Sequence, residues 1–309
     1  MPVTENTPLV SIVMATYNGE RFLNEQLNSV FEQTYAHIEI IVIDDCSSDN
    51  TLSILNMYAA EHSNMTLYEN EKNLGHIKTF EKGILLSNGQ YISLCDQDDI
   101  WDKRKIEILM NEIKSYGMVF CDSTFINEEG TLLNKRLSDI KNLATYNNCE
   151  PFIIGNCISG HAAIFTRQIA SLAFPFPAEI IHDWWLAFIA TSSGVVPFVN
   201  KTLVGYRQHS SNFIGAINVK GGRKKDTKHA ARAIIRRRVK LFYETCPDKN
   251  LQSKQLLQNI NKSYSDFSIQ NNFLRMATFF RNKSNLLAIK KRTSFRKWLF
   301  CLKMFFKII

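Results

Sequence analysis

"LVSIVMATYNGERFLNEQLNSVFEQTYAHIEIIVIDDCSSDNT", residues 9–51, decides the fold. It opens on Leu9-Val10-Ser11-Ile12-Val13-Met14-Ala15, an apolar and β-branched run that stops at the turn cluster Thr16-Tyr17-Asn18-Gly19. Phe22, Leu23, Leu27, Val30 and Phe31 then recur at helical spacing. A second apolar run, Ile38 to Ile43, ends on Asp44-Asp45-Cys46-Ser47-Ser48-Asp49. Strand, helix, strand in so short a span predicts a parallel crossover unit.

The alternation continues downstream. Leu52, Leu55 and Tyr58 predict a helix with Asp49 or Asn50 at its N-cap. Residues 65–68 and 90–95 read as strands, residues 79–86 as a helix and residues 118–121 as a further strand. The fold class is therefore α/β, a mainly parallel sheet flanked by helices. In such sheets ligands bind beyond the carboxyl ends of the strands. Three apolar runs end there in polar clusters: Thr16-Tyr17-Asn18, Asp44-Asp45 and Asp96-Gln97-Asp98-Asp99.

The third cluster poses a charge problem, since its aspartates repel one another. Asp96 and Asp98, two apart at a strand end, present oxygens to one hard divalent cation, Mn²⁺ or Mg²⁺, which supplies the missing positive charge. Asp99 is expected to cap a helix containing Trp101, Ile106 and Met110. Residues 127–150 read as a polar loop, residues 195–199 as a strand, and Ile180 to Trp185 as the entry to an apolar helix.

Composition excludes several classes. The 309 residues are 45% hydrophobic and 21% charged, which is globular rather than disordered. No apolar run approaches the roughly 18–20 residues of a membrane span, and no signal peptide is read at the N-terminus. Seven scattered cysteines without a C-x-x-C pair fit a reduced, cytosolic setting. The net charge of +8 is uneven. Residues 1–219 carry 14 Lys/Arg and 25 Asp/Glu, whereas residues 220–309 carry 23 and 4. The division read from this is a body of 1–219 and a basic, mostly helical extension of 220–309. Residues 267–309 hold ten Lys/Arg and no acid, and residues 298–309 mix aromatics with lysines as interfacial helices do. Peripheral attachment to an anionic membrane surface, on the inner face of the cytoplasmic membrane, is expected. Each basic residue near such a surface contributes about 1 kcal/mol. No nucleic-acid-binding module is recognisable.

Residues 9–51, with "NLGHIKTFEKG" (73–83) and "YISLCDQDDIW" (91–101), resemble the N-terminal half of family 2 glycosyltransferases. "GNCISGHAAIF" (155–165), "HDWW" (182–185) and "YRQHSSN" (206–212) resemble the bacterial subgroup containing rhamnosyltransferases. The resemblance spans roughly residues 8–215. It implies a GT-A (Rossmann-like) fold and inverting transfer of a sugar from a UDP- or dTDP-sugar to a glycan acceptor, lipid-linked, in O-antigen or capsule assembly. It places the donor nucleotide at Thr16, Tyr17, Asn18, Asp45 (or Asp44), Lys72, Asn73, Asp96 and Gln97. It assigns the metal to Asp98, with Asp96 on the ribose or the metal and His209 completing the shell. It makes Asp183 the catalytic base, although His182 stands where the family has Glu. His161 meets acceptor or diphosphate, or is structural. Trp184 and Trp185 stack on sugars or pack in the core.

Two other classes compete. A sugar-nucleotide-forming nucleotidyltransferase wants a Gly-rich basic loop after the first strand, and here that loop holds one glycine and Glu20. A non-enzymatic membrane- or polyanion-binding protein leaves the carboxylate clusters without a use.

Overall fold

The computed structural model describes residues 7–209 and 228–308. The boundary drawn at 219/220, the first basic residues after it and Ser210-Ser211-Asn212 of the YRQHSSN stretch lie outside the described residues.

The chain begins with β1 (Val10–Thr16), α1 (Leu23–Phe31), β2 (Ile38–Asp44), α2 (Thr51–Glu61), β3 (Met65–Glu69), α3 (His76–Leu86) and β4 (Tyr91–Cys95). β5 (Ile100–Trp101), α4 (Lys105–Ile113), β6 (Met118–Ile126), β7 (Leu132–Arg136) and α5 (Leu137–Ile140) follow. Then come β8 (Ala163–Thr166), α6 (Arg167–Ala173), α7 (His182–Ser193) and β9 (Phe198–Arg207). Five helices finish the chain: α8 (Lys228–Thr245), α9 (Leu251–Ser263), α10 (Ile269–Arg281), α11 (Lys283–Leu286) and α12 (Ser294–Lys303).

The strands form one sheet in the order β3-β2-β1-β4-β8-β6-β9-β5, with β7 paired to β6. From β3 to β4 all pairings are parallel. Antiparallel strands enter at β8, and β9 returns parallel to β6. The alternation of strand side chains explains why helices cover both faces. Ile12 and Met14 of β1, with Ile40 and Val42 of β2, pack against Leu23 and Leu27 of α1, Leu55 of α2 and Ile106 and Leu109 of α4. Val13, Ile41 and Ile43 point the other way, to Phe80 and Ile84 of α3. Gly83 lets α3 lie close on β1, since a Cβ there would stand 2.4 Å from Val13 Cγ1.

The second apolar cluster runs on into the C-terminal helices. Phe242 of α8 stacks on Trp185 and Phe188 of α7, and Phe300, Cys301 and Met304 are buried in the same cluster. Arg275 of α10, wholly buried, donates to the carbonyls of Ser263, Met304 and Phe305, which fixes the end of α12. Residues 298–309 are thus two-sided rather than simply interfacial. Phe300, Cys301 and Met304 face inward, while Trp298 and Phe306 remain exposed.

Other local expectations need correction. Asp99 is no helix cap: it is fully buried, Trp101 belongs to β5, and α4 starts only at Lys105 after Arg104. Edge pairing of Ile100 and Trp101 with β9 overrides the helical spacing there. The strand expected at 195–199 begins at Phe198 and continues to Arg207. The polar stretch 127–150 contains β7 and α5. At α2, Asn50 is the N-cap, yet the carboxylate that receives the Thr51 amide is Asp49.

Candidate functional site

β1, β2 and β4 end side by side, at Thr16, Asp44 and Cys95, and the loops leaving them meet at one edge. Thr16 Oγ1 donates to Asp44 Oδ1 at 2.8 Å, and Asp44 also accepts from the Ser47 amide and hydroxyl. Asn18 sits at φ 49°, a left-handed conformation that Asn tolerates. Its Oδ1 accepts from the Ser48 amide, so it ties the loop after β1 to the loop after β2. Asp45, 3% exposed, accepts from Asn70 Nδ2 and from the Leu74 and Gly75 amides, which orders the segment bearing Asn73. The Gln97 amide pairs with both the N–H and the carbonyl of Tyr17. That contact requires Gly19, because a Cβ there would lie 2.4 Å from Gln97 Oε1.

These loops border a cleft of about 1010 Å³. Its lining includes Thr16, Tyr17, Asn18, Asp45, Asn73, Asp96, Gln97, Asp98, Asp183 and His209, ten of the eleven residues expected from sequence. Lys72 is exposed and outside that lining. Trp184 lines the cleft, whereas Trp185 is buried against Phe188 and Phe242.

The carboxylates after β4 divide in a way the sequence conceals. Asp98 Oδ2 lies 2.8 Å from His209 Nε2, and the Asp98 carbonyl accepts from Arg207 Nε. Asp96 and Asp99 share His161, whose Nδ1 is 3.2 Å from Asp96 Oδ2 and 3.0 Å from Asp99 Oδ2. His161 is 2% exposed, and its Nε2 lies 3.1 Å from Ser123 Oγ. Burial alone would discharge this imidazole, but Asp99 and Asp96 together raise its pKa far above the ordinary value. Burial likewise raises Asp99, opposed by the charge of His161. Burial would also raise Asp96, but the hydrogen bond and charge of His161 prevail and hold it low. The buried imidazolium is thus an internal counter-ion for the cluster, and the structural role of His161 accounts for its position.

Asp183 stands in the first turn of α7, against the far wall of the cleft. Burial pushes its carboxyl up to about 7, with Asp96 adding to the effect. The Trp184 amide, charged His161 and the Asn156 side chain work against that rise. Next to it His182, 7% exposed, packs on His76 and Phe80, and burial drives its pKa down to about 3. A neutral imidazole therefore stands where the sequence pattern leads one to expect a carboxylate.

Asp98 and His209 offer one divalent cation two adjacent donor atoms, and Asp96 lines the same cleft. Adjacent ligands on an octahedral Mg²⁺ or Mn²⁺ lie about 3 Å apart, given bonds of about 2.1 Å. The Asp98 to His209 separation of 2.8 Å matches that spacing. Among the described residues the one grouping of three potential ligands with an atom each within 4.8 Å of the others is Asp96, Asp99 and His161. There the imidazole is held charged and Asp99 is inaccessible, which favours internal ion pairing.

Residues 11–172 match the Glycosyl transferase family 2 model, and the chain belongs to that family. It is an enzyme that uses a nucleotide sugar, so the nucleotidyltransferase and non-enzymatic readings give way. An uncharacterised glycosyltransferase of Haemophilus influenzae is 28% identical over 225 residues, 69% of this chain and 70% of that one. A UDP-Glc:α-D-GlcNAc-diphosphoundecaprenol β-1,3-glucosyltransferase of Escherichia coli is 29% identical over 58% of this chain and 68% of its own. A dTDP-rhamnosyl transferase of Shigella flexneri is 29% identical over 66% and 74%. Among solved structures, Staphylococcus aureus TarS 1–349 with UDP-GlcNAc superposes at TM-score 0.63 with 16% identity, covering 96% of this chain and 80% of that one. A Pyrobaculum calidifontis mannosyltransferase with GDP-Man and Mn²⁺ superposes at 0.53 with 17% identity, covering 98% and 86%. These likenesses show the GT-A fold, with its helical C-terminal region.

Proposed function

We propose that this chain is a metal-dependent, inverting glycosyltransferase of bacterial surface-polysaccharide assembly, moving a hexosyl or deoxyhexosyl group from a UDP- or dTDP-sugar to a lipid-linked glycan. The observation that carries the reading is Asp183: a carboxyl raised to about 7, in the same cleft as the Asp96, Asp98 and His209 donor set. Transfer with inversion is an in-line displacement. Asp183 takes the proton of the acceptor hydroxyl as that oxygen bonds to the anomeric carbon, and the bond to the diphosphate breaks. A base near neutrality balances availability against proton affinity. Asp98 and His209, with Asp96, would hold Mn²⁺ or Mg²⁺, which neutralises charge on the leaving diphosphate. Thr16, Tyr17, Asn18, Asp45, Asn73 and Gln97 form the side of the cleft assigned to the nucleotide.

The names of the Escherichia coli and Shigella flexneri relatives support a diphosphate-lipid acceptor and a dTDP-rhamnosyl donor as the first candidates. Among the described residues no helix is long and apolar enough to cross a membrane. We assign membrane contact to the basic 220–309 region, through exposed Phe295, Trp298 and Phe306 among its lysines and arginines. We assign the enzyme to the inner face of the cytoplasmic membrane on that contact. The test is mass spectrometry of products from a panel of UDP- and dTDP-sugars with lipid diphosphate acceptors, with Mn²⁺ or EDTA. NMR of the new anomeric proton reads the stereochemistry. Transfer that survives EDTA, or that keeps the donor's anomeric configuration, overturns the mechanism.

A further inference from the structure

Beyond the donor side, the cleft wall carries Lys141, which follows α5. Lys141 pairs with Lys290 across an isolated antiparallel bridge, held by Asn142 N–H to the Ile289 carbonyl at 2.8 Å and Asn142 Nδ2 to the Ala288 carbonyl at 3.0 Å. Residues directly opposite in an antiparallel bridge project their side chains to the same side. Arg292 is brought back by its own N–H to the Lys290 carbonyl at 2.8 Å. The two cations of that turn both lie over the Phe300 ring, at 4.8 and 5.3 Å. Three like charges are thus gathered, with Lys141 in the cleft wall and Lys290 and Arg292 beside it outside the lining. Among the described residues none of them is ion-paired to a carboxylate. The chain from 267 to 309 has no acid to offer.

We propose that Lys141, Lys290 and Arg292 form the binding site for the diphosphate group of the acceptor lipid. This rests on the glycosyltransferase reading above. Gathering three cations without an anion is unfavourable, and a diester diphosphate brings two negative charges that a lysine and arginine cluster receives well. Burial, and then the charges of Arg292 and Lys141, push Lys290 down to about 8. The position suits an acceptor. Asn156 donates to Asp183, its neighbour Cys157 lines the cleft, and Lys141 lies close enough to Cys157 to act on its thiol. A sugar whose hydroxyl reaches Asp183 therefore has its diphosphate end directed at the cations. Beyond them the exposed Phe295 and Trp298 face solvent where the lipid tail would leave.

The test is calorimetric titration of farnesyl diphosphate, with no bilayer present, into protein saturated with UDP and Mn²⁺. The triple variant Lys141→Gln/Lys290→Gln/Arg292→Gln should bind at least tenfold more weakly. Lys141→Gln and Arg292→Gln alone should each bind about threefold more weakly. Farnesol should bind wild type and variants alike. Unchanged farnesyl diphosphate affinity in the single variants overturns the assignment, as does an equal loss for farnesol. Phosphatidylglycerol vesicles form the second arm. Tenfold weaker vesicle binding with farnesyl diphosphate untouched would assign the cations to bilayer headgroups and end the proposal. The nucleotide titration stands alone: wild type that binds neither UDP nor dTDP with Mn²⁺ defeats the metal-dependent donor reading, whatever farnesyl diphosphate does.

Discussion

Replacing Asp183 by Asn separates chemistry from electrostatics at one position. The amide keeps the shape and the hydrogen bonds to Trp184 N–H and Asn156 but cannot take a proton. General-base catalysis contributes about 10²–10⁴-fold, so turnover should fall by that amount with little change in donor affinity. The same substitution should stabilise the fold, by an amount that builds between pH 3.8 and about 7 and is full above that. Raising a carboxyl from 3.8 to about 7 in the folded state corresponds to roughly 4 kcal/mol against its ionised form. The sign follows from the raised folded pKa: stability is complete below pH 3.8 and declines as pH rises through about 7. Partial solvent access trims the effect to about 1–4 kcal/mol. With an unfolding entropy of about 0.6–0.7 kcal/mol/K for a chain this long, Asp183→Asn should raise Tm by about 2–6 °C at pH 8 and by roughly two-fifths of that at pH 5. Calorimetric melts at both pH values, beside pH profiles of kcat/KM, decide it. Wild-type kcat/KM should rise with pH through about 7 and the variant's should not. A variant retaining more than about a tenth of wild-type turnover sinks the assignment as base. Equal Tm differences at the two pH values refute the raised pKa.

Asp98→Asn and His209→Ala should each weaken Mn²⁺-linked UDP binding at least tenfold while leaving metal-free UDP binding unchanged, and calorimetry with and without Mn²⁺ would expose a wrong assignment. His161→Phe strands Asp99 and should cost about 3–5 kcal/mol in urea unfolding; a loss under 1 kcal/mol would mean that His161 is not the counter-ion. Gly19→Ala should displace Gln97 and raise donor KM severalfold, yet move stability by less than about 1 kcal/mol because a flexible side chain gives way. Phe295→Ser/Trp298→Ser/Phe306→Ser should reduce sedimentation with phosphatidylglycerol vesicles without lowering Tm, whereas unchanged sedimentation would remove the membrane contact from these residues.

Much of the site was legible because its parts lie at the ends of unmistakable strands. Thr16, Asp45 and Asp98 follow runs whose apolar pattern fixes where each strand stops, and the parallel order then brings those stops together. What stayed hidden depends on distant pairing. Asp96 meets a histidine 65 positions later, across a stretch of short turns with no clear period. The place of Asp99 is hidden for that reason: three aspartates before a helical pattern suggest a cap, and only the buried imidazole reveals the ion pair. Trp101 was drawn into a helix because its spacing to Ile106 suits one, while the two-residue edge strand that claims it is set by β9. The C-terminal region read as a tether because composition reports charge. Phe242, Phe300 and Met304 show that part of it is interior.

The His161 ion pair also constrains how this sequence can vary. Losing Asp99 leaves the buried cation with Asp96 as its one remaining counter-ion, and losing His161 leaves a buried anion uncompensated, so either single change is costly. A lineage avoids that cost by changing both positions almost at once, or by first opening the interior to water. Positions 99 and 161 should therefore be inherited as a linked pair, either both kept or both replaced. Surveying natural variants for chains that break one and keep the other would test the pairing without purifying a protein.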